Sequence, residues 1–179
     1  STQLHFSLQS VLSAVVTEHQ ALAKQHHVRI VLVKTRFIAY SDPTLVKKVL
    51  EQLVCNAILH SQTNKVLIGI RRQGKTAVVQ VWDQGKGIPK DQIDTIFDEF
   101  KQLDNPERNR NKGLGLGLAL AIKISHLLQL QLTAESRVGQ FSLFHFTLPA
   151  GNKDQLAPLI NQENDLGEQA GQAVLVVDD

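Results

Sequence analysis

The sequence has little of what marks secreted or membrane-spanning proteins. Its 179 residues include no methionine and one cysteine, Cys55. A single cysteine excludes an internal disulfide and fits a reducing compartment. No apolar run approaches the roughly 20 residues that cross a bilayer, and the first residues, STQLHFSLQ, lack the charged and apolar regions of a signal peptide. We therefore expect a cytoplasmic fragment without a membrane segment.

A strong excess of one charge is also missing. Lys and Arg number 19 against 17 Asp and Glu, so the net charge is +2 and no broad basic surface for nucleic acid is predicted. Because not even an initiator methionine is present, we expect a piece of a longer protein, which upstream segments could anchor in the inner membrane. The piece is 42% hydrophobic and long enough to bury one sizeable core.

Apolar periodicity predicts helices and strands in mixed order. Helices are predicted over 6–23, 91–96 and 115–128 and in SDPTLVKKVLEQLVCNAILHS, which opens with Ser or Asp as N-cap and Pro43 at the first helical position. Strands are predicted over 29–33 and 37–41 as a hairpin, over 66–71 and 77–83 around a turn at Gly74, and over 130–135 and 141–148. Without regular βαβ alternation, this order favours an α+β two-layer α/β sandwich over a doubly wound sheet.

The sequence contains two short glycine-rich stretches, the first after a predicted strand and the second after a predicted loop. Residues 83–88 read DQGKGI and residues 113–118 read GLGLGL. Neither is diagnostic alone, and the second does not match the phosphate loop GxxxxGK[ST]. It does precede a predicted helix, whose N-terminus is suited to an anion. Between them, residues 97–112 are polar and form a predicted loop long enough to suggest a function.

The ordered set of motifs is more informative than either loop. Asn56 lies on a predicted helix, Asp83 precedes GxG, FDEF follows, and the second glycine loop opens a helix. This set resembles the GHKL ATPase superfamily, and within it the catalytic, ATP-binding domain of sensor histidine kinases, over about residues 6–149. Asn56 matches the N box, DQGKGI the first glycine box, FDEF the F box and GLGLGLAL the second glycine box.

The resemblance implies a mixed sheet of about five strands backed by three helices (the Bergerat fold), with ATP under a mobile lid. Asn56, with Gln52, would hold Mg²⁺, since amide oxygens suit a hard cation. Asp83 would accept a hydrogen bond from the adenine amino group. Gly85 and Gly87, followed by Ile88, would let the backbone pass close to the adenine and ribose.

The phosphate end is implied by the second box and the loop before it. Glycine amides at the helix start would face the β- and γ-phosphates; the residues concerned are Gly113, Leu114, Gly115, Leu116, Gly117 and Leu118. Arg108, Arg110 and Lys112 would neutralise the triphosphate, or else are solvated surface charges. Phe97 and Phe100 resemble the aromatic residues that pack the lid on the body.

Some positions depart from the family pattern. Gln52 stands where Asn is usual, and Leu59 where Lys or Arg is frequent, so one phosphate contact would be missing. His60, where an aromatic residue often lines the pocket, either stacks on the base or caps the helix. Phe141 replaces a glycine in the last strands.

Two alternatives to a histidine kinase domain stay open at this point. One is a pseudokinase or docking module without ATP, which Gln52 and Leu59 favour. The other is a GHKL ATPase of the gyrase, chaperone or mismatch-repair kind, which would need a glutamate such as Glu51 as its base.

The phosphoacceptor is predicted to lie outside this chain. In histidine kinases it sits on a separate dimerisation domain within an HE pattern, which none of the early histidines matches; these are His5, His19, His26 and His27. We therefore predict a protein-histidine kinase catalytic domain without a catalytic residue of its own. Residues 1–12 would be the exit from the dimerisation helix, residues 6–150 the ATP-binding domain, and the parent a homodimer.

The C-terminal part changes in composition. Residues 151–172 are polar and predict a linker. Residues 173–179, AVLVVDD, resemble the first strand of a response-regulator receiver, in which two acids follow a β-branched run. The parent is therefore predicted to be a hybrid kinase that relays phosphate to an aspartate of a receiver in cis.

Overall fold

The computed structural model describes residues 1–101, 115–156 and 176–178. In chain order the elements are β1 Leu4–Ser7, α1 Leu8–Gln25, β2 Arg29–Lys34, β3 Ile38–Ser41, α2 Pro43–His60, β4 Ser61–Gln73, β5 Thr76–Gly85, α3 Lys90–Lys101, α4 Gly115–Leu127, β6 Thr133–Arg137, β7 Phe141–Pro149 and β8 Val176–Asp178. A short 3₁₀ helix, Lys153–Gln155, follows β7.

One mixed sheet organises the domain. Its strand order is β6-β7-β5-β4-β2-β8, with antiparallel pairing from β6 to β4 and parallel pairing of β2 with β4 and with β8. Helices α1 and α2 pack on the sheet, and α4 packs on α2. The predicted α+β sandwich is confirmed.

The core lies between the helices and the inner face of the sheet. In β7 every second side chain is buried, namely Ser142, Phe144, Phe146 and Leu148, as expected for a strand with one covered face. In α2 the buried residues recur at helical spacing: Val46, Val49, Leu50, Leu53, Val54, Ala57 and Ile58. Each large apolar side chain removed from water in this way contributes about 1.5–3 kcal/mol.

Helix α2 begins as its sequence predicts. Asp42 is the N-cap, and its side chain accepts a hydrogen bond from the Leu45 amide at 3.1 Å. Pro43 occupies the first turn, where its missing N–H costs nothing. The turn predicted at Gly74 is also confirmed, since β4 and β5 are joined there and Gly74 has a φ of +59°.

Several predictions about the elements were wrong. The strand predicted over 130–135 is β6 Thr133–Arg137, since a turn at Leu128 and Gln129 follows α4. β2 and β3 do not form a hairpin, because β2 pairs in parallel with β4 while β3 pairs antiparallel with β1. The first helix begins at Leu8 rather than at residue 6, since Ser7 caps it and the residues before belong to β1. The short helix predicted over 91–96 runs from Lys90 to Lys101, so the predicted loop begins later; its residues 102–112 lie outside the described chain.

The predicted domain boundaries stay predictions. Within residues 1–12 the structure has β1 and the first turn of α1. Within the predicted linker it describes residues 151–156, where Leu156 makes an isolated bridge with His5. Val176–Asp178, from the segment likened to a receiver strand, lies beside β2. No helix in the described part of the chain is long and apolar enough to cross a membrane.

Candidate functional site

Asp83 is unusual among the polar residues in the described part of the chain. It lies near the end of β5, is 2% exposed, and its Oδ1 has no hydrogen-bond partner among the described residues. Burial removes the carboxyl from water and raises its pKa to about 7. A buried acceptor without a partner costs stability, so Asp83 is suited to a ligand that brings a donor.

Gly85 is held between Asp83 and the end of α2. β4 follows α2 directly, and Ser61 pairs with Gly85, which brings the C-terminus of the helix to the end of β5. A Cβ atom on Gly85 would lie 2.6 Å from Asp83 Oδ1 and would collide with the carbonyl oxygen of His60. The close approach of the end of α2 to β5 therefore requires glycine at this position.

Gly87 and Ile88 continue the first glycine loop. Gly87 has a φ of +67°, and its Cβ would lie 2.7 Å from the carbonyl carbon of Arg137. The Ile88 amide donates to Ser136 Oγ at 2.6 Å, and the Ile88 side chain is 9% exposed. The loop is thus fixed against the turn between β6 and β7.

The candidate metal ligands lie on α2. Gln52 and Asn56, four residues apart on the helix, share one face, and both are half-buried. Gln52 Oε1 would lie 2.5 Å from a Cβ on Gly117, and Leu118 is 2% exposed. The structure therefore brings the predicted N box next to the first turn of α4, where the second glycine box ends.

His60 precedes both glycine boxes along the chain and lies next to the first in space. Its pKa is lowered, mainly because burial disfavours the charged imidazole and further because of the positive charge of Lys86. A neutral ring suits stacking on a base as well as helix capping, and both stay predictions.

The remaining predicted residues belong to the F box, to the stretch after it and to the second glycine box. Phe97 and Phe100 lie on α3 and Gly115 and Leu116 open α4, with their backbones alone described. The positions outside the described residues are Arg108, Arg110, Lys112, Gly113 and Leu114. All their roles stay predictions.

Glu51 points away from this site. Lys47 Nζ lies 3.6 Å from Glu51 Oε1 and 2.6 Å from Glu18 Oε1 of α1. This ion-pair cluster places Glu51 on the side of α2 that faces α1, whereas Gln52 faces α4.

Sequence reasoning missed the residues that hold the first glycine loop in place. Ser136 and Ser142 lie on β6 and β7, about 50 residues after the loop, and their hydroxyls meet at 3.2 Å. A serine in a short strand carries no local signal of such a role, since the contact depends on strand pairing.

Comparison with known proteins agrees with this geometry. The family described as "Histidine kinase-, DNA gyrase B-, and HSP90-like ATPase" matches residues 41–152, more than half of the chain. The chain belongs to this ATPase family. One relative, the adaptive-response sensory kinase SasA of Synechococcus elongatus, is 30% identical over 112 residues, which are 62% of this chain and 28% of SasA. The chain thus spans less than a third of the length of that relative.

Solved histidine kinase structures share the fold of this ATPase domain. The catalytic domain of histidine kinase ThkA, in nucleotide-free form, superposes with a TM-score of 0.69 at 24% identity, covering 83% of this chain and 97% of ThkA's. Full-length ShkA in complex with AMPPNP has a TM-score of 0.70 at 22% identity, covering 88% of this chain and 33% of ShkA. These likenesses show that the chain has the fold of histidine kinase catalytic domains.

Proposed function

We propose that this ATPase domain binds Mg-ATP and presents its γ-phosphate to a histidine on a separate dimerisation domain of a two-component sensor kinase. The observation that carries the proposal is Asp83 Oδ1, a buried carboxylate oxygen without a partner among the described residues, next to a glycine loop. An adenine amino group would supply the missing donor. That contact distinguishes adenine from guanine, which has a carbonyl oxygen in the corresponding place.

The adenine end of the site is built around that contact. Gly85 lets the end of α2 approach Asp83, because the His60 carbonyl occupies the position that a Cβ on Gly85 would need. Ile88 contributes a largely buried apolar side chain after the glycine loop. A neutral His60 nearby, with its pKa lowered by burial, can stack on a base without the cost of burying a charge.

The phosphate end is proposed to lie between α2 and α4. The N-terminus of α4 offers amides without partners inside the helix and the positive end of the helix dipole. Gln52 faces it from α2, and Asn56 lies one turn further along the same helix face. Their amide oxygens would suit a hard cation. Among the described residues no cluster of three His, Cys, Asp or Glu competes as a metal site. When bound, Mg²⁺ would neutralise charge on the transferring group.

The reaction proposed for the whole protein is phosphoryl transfer to nitrogen. The bond between the γ-phosphorus and the β,γ-bridging oxygen breaks, a bond to an imidazole nitrogen of the acceptor forms, and ADP leaves. This chain's part is to bind, orient and shield the triphosphate. We further propose that the phosphate passes to an aspartate of a receiver in cis, which the AVLVVDD segment supports, and that the parent is a cytoplasmic or membrane-anchored homodimer.

Two observations favour this proposal over its two alternatives. Glu51 is held by Lys47 toward α1 and is poorly placed as the base of a hydrolytic ATPase. The buried Asp83 Oδ1, which has no partner among the described residues, argues against a pseudokinase, because such an oxygen destabilises the fold unless a ligand pairs with it.

A displacement titration tests nucleotide binding directly. The chain is mixed with a fluorescent ATP analogue and Mg²⁺, and unlabelled ATP is then added. We expect saturable fluorescence that ATP reverses. Fluorescence that millimolar ATP fails to displace would favour the docking module instead.

A further inference from the structure

The β6–β7 hairpin contacts the first glycine loop at three points. The Ile88 amide donates to Ser136 Oγ at 2.6 Å. The Gly139 amide donates to the Lys86 carbonyl at 2.7 Å. Between these two bonds, Gly87 lies against the Arg137 backbone so closely that a Cβ would overlap it. The loop between Asp83 and α3 thus rests on residues 136–139.

Ser136 is the centre of this arrangement. Its hydroxyl donates to the Phe141 carbonyl at 2.8 Å, and its oxygen accepts the Ile88 amide. A hydroxyl has one proton, so in the 3.2 Å contact between Ser136 and Ser142 the donor is Ser142. The Ser136 oxygen therefore uses its donor and both acceptor sites, which fixes its rotamer and the position of the Ile88 amide.

The same network reaches Asp83 through the sheet. Ser142 is 6% exposed and pairs directly with Asp83 across β5 and β7. Directly opposed residues of an antiparallel pair project to the same face of the sheet. Ser136 thus connects the strand that carries Asp83 with the loop that follows it.

We infer that Ser136 is a positioning residue for the nucleotide: it sets the distance between the first glycine loop and Asp83 without touching the ligand. This rests on the proposed function of the site. Loss of the hydroxyl frees the Ile88 amide and lets the loop move relative to Asp83, which weakens binding at the adenine end. Because ADP and ATP share that end, both are weakened by the same factor.

Three variants test the role of Ser136. Ser136→Ala removes the hydroxyl, and Ser136→Thr keeps it. Ser125→Ala is the matched control, because Ser125 is fully buried and its hydroxyl donates to the Ala121 carbonyl at 2.7 Å on α4, away from the loop. Affinities for ADP and ATP are measured with the fluorescent analogue, melting temperatures by calorimetry, and exchange of the Ile88 amide by NMR.

We expect Ser136→Ala to raise both dissociation constants by about five- to tenfold, the loss of roughly one hydrogen bond, and to speed Ile88 exchange. Ser136→Thr should restore both, and Ser125→Ala should change the melting temperature alone. If Ser136→Ala binds like the wild type, or if Ser125→Ala weakens binding equally, the positioning role is overturned while the proposed function stands. If the wild type itself binds no nucleotide, the proposed function fails and this role with it.

Discussion

The carbonyl oxygen of His60, the last residue of α2, fills the space that a Cβ atom on Gly85 would need. The contact joins the helix that carries Asn56 to the strand that carries Asp83, because Ser61 pairs with Gly85 immediately after the helix ends. The N box and the first glycine box, about 25 residues apart in sequence, are thereby held together at one end of β5.

This contact predicts unequal costs for two glycine substitutions. Gly85→Ala meets the backbone of His60, which cannot move without shifting α2, and should lower the free energy of unfolding by about 1–3 kcal/mol. Gly117→Ala meets the end of the flexible Gln52 side chain, which can rotate away, and should cost less. Denaturant unfolding of both variants measures the difference.

A double variant provides the control for Gly117. Gln52→Ala removes the atom that approaches Gly117, so it should recover most of the stability lost in Gly117→Ala and none of that lost in Gly85→Ala. If both alanine substitutions lower stability equally, or if Gln52 and Gly117 show no coupling, the close contacts with His60 and Gln52 are not the reason why glycine is required at these positions.

Asp83 predicts an unusual dependence of stability on pH. Its pKa is about 7 in the fold against an ordinary value of 3.8. Between these values the folded protein keeps a proton that the unfolded chain has lost, so the free energy of unfolding falls as the pH rises from about 4 to 7 and levels off above. Unlike a salt-bridged aspartate, Asp83 therefore destabilises the ligand-free fold at neutral pH.

Asp83→Asn isolates this effect, because the amide has nearly the same shape and does not titrate. Relative to the variant, the wild type should lose about 2 kcal/mol of stability between pH 5 and pH 8. Urea unfolding at both pH values gives the comparison. Parallel pH profiles for wild type and variant would mean that the carboxyl is not desolvated as the structure indicates.

Glu51 should be dispensable for ATP turnover. It belongs to the cluster formed with Lys47 and Glu18 near α1, and such exposed pairs contribute about 0–1 kcal/mol. Glu51→Gln should leave any slow phosphate release unchanged and shift stability little, whereas Asn56→Ala should reduce release. Phosphate release abolished by Glu51→Gln would instead identify a hydrolytic ATPase that uses this glutamate.

Much of the fold follows from local signals. α2 was predicted with its first-turn proline and with Ser or Asp as its cap, because such residues act on neighbouring backbone groups, and the cap is Asp42. The prediction of a hairpin between β2 and β3 was wrong, because strand pairing depends on contacts between distant segments. β2 lies between β4 and β8 in the sheet, and β3 pairs with the N-terminal β1.

The site residues likewise include some that the sequence predicts and some contacts that it does not. Asp83 and the glycines of the first box could be named from the sequence, because residue type and order carry the resemblance. The burial of Asp83, the approach of Gln52 to Gly117 and the support of Ile88 by Ser136 arise from packing between distant segments. Periodicity contains no information about such contacts.

Selection of adenine by Asp83 is the proposal on which the rest of the site depends. The most direct measurement is calorimetric titration of wild type and Asp83→Asn with ATP and GTP, in Mg²⁺ at pH 8, where the carboxyl is ionised. We predict that the wild type prefers ATP and that Asp83→Asn binds ATP at least about tenfold more weakly. The preference of the variant for ATP over GTP should also shrink, since the amide can donate to the guanine carbonyl. Equal ATP affinity in both proteins, with no preference for ATP over GTP in the wild type, would contradict it.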